Sequence, residues 1–206
     1  MIDQGMLKIT LSTAGIAMML ATLAGTPAVS QSVTRVFTQL DSKKCRHTRG
    51  RQVEDYGSWR CAGHDGIGVY LSAGDQRMHV SFGSRAAREP AASQTFPAFN
   101  SAYKGAIEWR LETLPNGKSR AFATILRWNV KLPDDERETT GRVLVVTRLG
   151  SGGVCHVGYV DARSNPNANE LARQIADQHA RAFKCGTDQP VVLGQQSPDL
   201  SFPKKE

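Results

Sequence analysis

The amino-acid sequence predicts an α+β domain, an antiparallel β-sheet built as a meander of hairpins, about six to eight strands, with one C-terminal helix packed on it. Three observations carry this expectation. Paired segments of alternating apolar residues are joined by tight-turn residues, one stretch near the C-terminus has helical apolar spacing, and four cysteines sit where they can staple neighbouring elements. A β-sandwich with an appended helix is the alternative arrangement of the same elements.

Ile67, Val69 and Leu71 alternate before Gly74-Asp75, and Met78, Val80 and Phe82 alternate after it. Centring a turn on Gly74-Asp75 pairs Leu71 with Met78, Val69 with Val80 and Ile67 with Phe82, so that apolar residues meet across the ladder. The second hairpin turns at Asn116-Gly117, a strong hairpin signal. It pairs Ile107 with Leu126, Trp109 with Thr124 and Leu111 with Phe122. Glu108, Arg110 and Glu112, with Arg127 further on, fall on the opposite face and are expected to be solvated. The third hairpin runs Val143–Leu149, turns through Gly150-Ser151-Gly152-Gly153 and returns through Val154–Val160. Its expected core face holds Leu144, Val146, Cys155, Val157 and Tyr159.

The helix starts at Asn165-Pro166 or Asn167, with Glu170 placed as in a capping box. Leu171, Ala172, Ile175, Ala176, His179, Ala182 and Phe183 form its apolar stripe, and Gly186 suits its end. Val33–Leu40 and Gly57–Cys61 read as weaker strands flanking a basic loop. Two connections are long: Ser84–Lys104, which carries Phe96, Phe99 and Tyr103, and Lys131–Gly141, which is polar and mostly acidic. Residues 187–206 are rich in Gln, Pro, Ser and charge and are expected to be disordered.

Residues 1–30 have the pattern of a cleavable export signal. Met1–Lys8 carries one acid and one base, Ile9–Gly25 is apolar or small without charge, and Ala28 and Ser30 stand three and one before an expected cut at Gln31. No later stretch is apolar for long enough to span a membrane, so the expected product is periplasmic or secreted, a single domain over 31–186 followed by the tail. The leader removes one base (Lys8) and one acid (Asp3), so the net charge stays +7. A basic surface of this size suits anionic partners.

Cys45, Cys61, Cys155 and Cys185 all follow the leader, and an even count in an oxidising compartment reads as two disulfides. Three pairings exist; Cys45–Cys61 and Cys155–Cys185 join neighbouring elements and are preferred. Cys155-His156 resembles a thiol–base pair, but adjacent strand residues point to opposite faces. Cys45, His47, Cys61 and His64 have the residue types of a zinc set without a standard spacing, and no metal or other cofactor is expected. Neither a Gly-x-Ser-x-Gly elbow nor a phosphate loop between strand and helix occurs.

Bases are densest from Lys43 to Arg51, where Lys43, Lys44, Arg46, His47, Arg49 and Arg51 fall within nine residues. Lys43, Lys44, Arg46, Arg49 and Arg51 are the candidate polyanion contacts, and Phe96, Phe99 and Tyr103 the candidate anchors for a protein or glycan partner. Nucleic acid is not expected, because exposed aromatics are not interleaved with the charge.

Trp59-Arg60-Cys61, Ile107-Glu108-Trp109-Arg110-Leu111, Phe122-Ala123-Thr124-Ile125-Leu126-Arg127 and Cys155-His156-Val157-Gly158-Tyr159-Val160-Asp161 together look like a family of small exported bacterial proteins. The resemblance covers roughly residues 33–185. It implies export and a single domain. No activity is established for that family, so it assigns no catalytic residue. The function expected from the sequence is a non-catalytic, envelope-associated binding module for a polyanion, glycan or protein, including a hydrolase inhibitor. The alternative is a periplasmic hydrolase or thiol enzyme using Cys155 and His156.

Overall fold

The computed structural model describes residues 1, 32–53, 56–132 and 140–203. The chain divides between Ser30 and Gln31 into two units, and the second is described below. It is α+β, as expected, but its described residues form eleven strands in two sheets, not one, and one α-helix. Strands β1 (Val33–Asp41), β2 (Arg46–Val53), β3 (Tyr56–Cys61), β4 (Val69–Gly74), β5 (Arg77–Phe82), β6 (Asn100–Ser101), β7 (Lys104–Thr113), β8 (Ser119–Lys131), β9 (Thr140–Arg148) and β10 (Cys155–Asp161) precede helix α1 (Ala168–His179) and β11 (Val191–Val192). The large sheet runs β1-β7-β8-β9-β10-β11, with β6 also paired to β8; the small sheet runs β2-β3-β4-β5. All pairings are antiparallel except β10 with β11.

The strand count exceeds expectation because three segments read as irregular are paired: the basic segment is largely β2, the long connection contains β6, and the tail supplies β11.

Both faces of the large sheet are covered, which is why β10 is buried at every position. One face packs on the small sheet through Leu71, Val80, Phe82, Trp109, Trp128 and Val145. The other packs on α1 through Ile125, Leu144, Val146, Val157, Ala172 and Ile175. Alternation along β8 and β9 sends neighbouring residues to opposite layers.

Three expected details are corrected. The β4–β5 turn is centred on Asp75 and Gln76, both with positive φ (51° and 55°), the backbone of a type I′ turn. Val69 therefore faces Phe82, Leu71 faces Val80 and Ala73 faces Met78, two residues from the expected register. An even slip keeps every side chain on its face, so apolar alternation does not exclude it. At Asn116-Gly117 the expected pairs Ile107–Leu126 and Trp109–Thr124 form, but a bulge after Arg110 sets Leu111 opposite Ala121 and turns Phe122 toward the helix layer. A second bulge, between His156 and Gly158, moves Tyr159 to the small-sheet face.

The charges on β7 are also not solvated. Glu108, Arg110 and Glu112 are 6, 6 and 3 % exposed, because partners from α1, from Arg181 just beyond it and from Arg120 of β8 lie over them. Arg110 Nη2 donates to Asp177 Oδ2 at 2.6 Å and Arg110 Nη1 to Glu108 Oε1 at 3.1 Å. Arg181 Nε and Arg120 Nη2 each donate to Glu112 at 2.6 Å. Burial alone would raise the Glu112 carboxyl; the Arg181 and Arg120 hydrogen bonds outweigh it and hold the group below its ordinary range.

The helix ends at His179, a turn earlier than its apolar spacing implies, leaving Ala182 exposed. Asn167 makes no side-chain capping bond. Both preferred disulfides are formed, Cys45–Cys61 and Cys155–Cys185. The second ties β10 to the segment beyond α1 and closes a loop of separation 30, worth about 3–4 kcal/mol in the chain-entropy model.

The expectation of a disordered tail does not hold for residues 187–203. Val191 pairs with Gly158, where a Cβ on residue 158 would overlap the Val191 carbonyl oxygen and approach Ile175 Cγ2 to 2.9 Å. Asp161 Oδ2 accepts from the Ser197 amide (3.0 Å), Leu200 is 2 % exposed, and Phe202 stacks on Tyr159 at 5.2 Å. Of the acidic connection, residues 133–139 lie outside the described residues, as does the expected leader from residue 2 onward.

Candidate functional site

Two of the concavities formed by the described residues bear on function. The larger, about 960 Å³, is lined by Gln76, Phe99, Asn100, Ser101, Tyr103, Asn129, Lys131, Thr140, Arg142 and Arg163. It spans from the β4–β5 turn of the small sheet to β8, β9 and the residues after β10 in the large one.

Its wall is built by the segment that connects β5 to β7. Asn100 is the organising residue: it is 8 % exposed, its Oδ1 accepts from the Met78 amide (3.1 Å), and its Nδ2 donates to Thr95 Oγ1 (3.1 Å) and the Ala98 carbonyl (2.9 Å). The Asn100 amide donates to the Gln76 carbonyl at 3.0 Å, and the Lys131 amide to the Phe99 carbonyl at 2.7 Å. These bonds fix Phe99 at the rim, where it stays 39 % exposed. Tyr103 packs edge-on against Trp59 at 6.3 Å, and its carbonyl accepts from the Ser42 amide at 3.0 Å.

Lys131, Arg142 and Arg163 are all exposed. None of the three is in an ion pair among the described residues. Arg163 is oriented by donating from Nη1 to the Thr140 carbonyl (3.0 Å), while Asp161 Oδ1 accepts its amide (2.9 Å). The described lining thus has three bases and no acid. Water-exposed cations around a concave surface concentrate field and attract anions.

The sequence-predicted residues divide. Phe99 and Tyr103 line the groove. Phe96 is 0 % exposed, packed among Trp128, Tyr159 and Phe202, and so cannot anchor a partner. Lys43 and Lys44 are exposed in the short 3-10 turn before the edge strand β2, and Arg46 is exposed at its start, opposite Arg60. Arg49 and Arg51 lie on β2 with side chains outside the described residues. The basic segment and the groove meet at Tyr103, whose carbonyl holds Ser42, the residue before Lys43. Lys131, Arg142 and Arg163 went unselected because each is a lone base in its own segment. Strand pairing brings them together: β8–β9 sets Asn129 opposite Arg142, and β9–β10, which sets Asp161 opposite Val143, carries Arg163 to the same end.

The second cavity, about 680 Å³, is lined by Gln94, Phe96, His156, Tyr159 and Phe202 among others. Here the alternative catalytic pair is corrected. Cys155 is 1 % exposed and bonded to Cys185, so it has no thiol. His156 Nδ1 is 3.0 Å from Tyr159 Oη. Burial, and secondarily His79, push the His156 imidazole down to about 3, far from the value a general base needs near neutral pH. The zinc set is likewise broken up: Cys45 and Cys61 are bonded to each other, His47 packs on Trp59 and His64 beside Trp109.

No helix among the described residues is long and apolar enough to cross a membrane. No family model, curated protein or solved structure matches the chain.

Proposed function

We propose that this chain is a non-catalytic binding module of the extracytoplasmic space that holds an anionic partner in the groove between the sheets. The observation that carries the reading is the lining itself: Lys131, Arg142 and Arg163 without an acid among the described lining residues, beside Phe99 and Tyr103. The exposed bases Lys43, Lys44 and Arg46 extend the positive surface past Tyr103 and add long-range attraction. Export is supported by the leader pattern of residues 1–30 and by the two disulfides, which persist in oxidising compartments. The loss of Cys155 as a thiol and the weak basicity of His156 count against an enzyme at that pair.

The test is retention on a sulfonated, sugar-free anionic resin at moderate salt. K131E/R142E/R163E is expected to elute early, while K43E/K44E/R46E, with the same change in net charge, is expected to be retained longer than it. Early elution of the second variant alone would assign binding to β2 and contradict the groove.

A further inference from the structure

We infer that the occupant of the groove is an acidic oligosaccharide, a short sugar chain bearing carboxylates or sulfates; this rests on the anion-binding reading above. Charge alone does not choose among polyanions, but the lining also holds groups that charge does not require. Gln76, Ser101 and Asn129 come from three separate segments and present neutral amides or a hydroxyl beside the bases. Such groups both donate and accept, which is what the hydroxyls of a sugar ring demand and what a phosphodiester or sulfate, an acceptor only, does not.

The aromatic residues add a second match. Phe99 and Tyr103 flank the two-residue strand β6, and Phe99 keeps 39 % of its surface exposed although Asn100 fixes the backbone beside it. A held, exposed ring at a polar rim offers an apolar face to the C–H face of a sugar. A single-stranded nucleic acid makes a different demand, aromatic platforms for successive bases along a charged track. Here both rings come from one short segment, while the bases come from β8, β9 and the residues after β10. The groove, about 960 Å³, has room for a whole organic ligand of several sugar rings.

The experiment is calorimetric titration of the protein from Gln31 onward with four probes: tetragalacturonate, a heparin-derived tetrasaccharide, maltotetraose as the neutral sugar, and pentathymidylate as the nucleic-acid strand. At least one acidic sugar is expected to bind ten-fold or more tightly than both maltotetraose and pentathymidylate. Phe99→Ala should then weaken it about five-fold, and Arg142→Gln, an exposed position with no fold role, should weaken it while leaving the melting temperature unchanged. Equal or tighter binding of pentathymidylate would overturn the saccharide assignment and leave anion binding intact. Equal binding of maltotetraose would overturn the role of the bases. No binding of either acidic sugar, with retention on the sulfonated resin still lost in the groove variant, would overturn the saccharide alone. No binding together with unchanged retention would overturn both readings.

Discussion

Glu108 on β7 and Arg173 on α1 meet in a two-pronged ion pair, Nε to Oε1 at 2.9 Å and Nη2 to Oε2 at 3.0 Å, although 65 residues separate them. With Arg110–Asp177 and Glu112–Arg181 it makes a ladder of charge along the seam between sheet and helix. Removing one partner from such a seam leaves the other buried without its counter-charge. Glu108→Ala is therefore expected to lower stability by about 3 kcal/mol, read as a lower urea midpoint at unchanged slope. An unchanged midpoint would mean that the seam is hydrated in solution.

Acid should unfold the protein in two stages. His156 is held down to about 3 by burial and by His79, against about 6.5 in an unfolded chain. The unfolded state thus takes up its proton first, so stability is full above about pH 6.5 and falls as pH drops toward 3, by on the order of 4 kcal/mol in all. Glu112 and Asp161 titrate below their ordinary range. Burial would raise both, but Arg181 and Arg120 on Glu112, and the Ser164 hydroxyl and neighbouring backbone amides on Asp161, prevail. Their contributions are present above about pH 4 and are lost below it. His156→Phe should reduce the slope of the stability profile between about pH 6.5 and 4, leaving the part due to His79, which burial and then Arg77 also hold down, and should leave the steep loss below about pH 4. An unchanged slope between about 6.5 and 4 would contradict the buried, neutral imidazole.

The docked tail depends on Gly158, the residue whose missing side chain admits Val191. Gly158→Ala should raise amide exchange across residues 191–200 while β7–β9 stay protected. Asp161→Asn, which weakens the carboxylate that holds the Ser197 amide, should raise exchange there to a smaller degree. Uniform loss of protection would instead mean that the tail and the sheet open together.

How much of this was legible depends on which residues set it. Alternation and turn residues found the hairpins, the helix and the cysteine pairs, because those are local or near-neighbour relations. Alternation is blind to a two-residue slip, and so missed that Asp75 and Gln76, not Gly74, make the turn. It also read Glu108, Arg110 and Glu112 as solvated, since a polar face and a face covered by a helix of complementary charge have the same pattern along the strand. The basic cluster at 43–51 was visible because it is contiguous. The groove was only half visible, through Phe99 and Tyr103, because its bases are assembled by strand pairing. The tail's polar composition concealed the few residues that dock it, Val191, Leu200 and Phe202.

The most direct measurement is a map of backbone amide chemical shifts of the protein from Gln31 onward during titration with tetragalacturonate or the heparin-derived tetrasaccharide. Saturable shifts are expected on Ser101, Tyr103, Asn129, Lys131, Arg142 and Arg163, with weaker ones at Lys43 and Lys44. Shifts confined to β2, or scattered over every exposed base without saturation, would contradict the groove as the binding site.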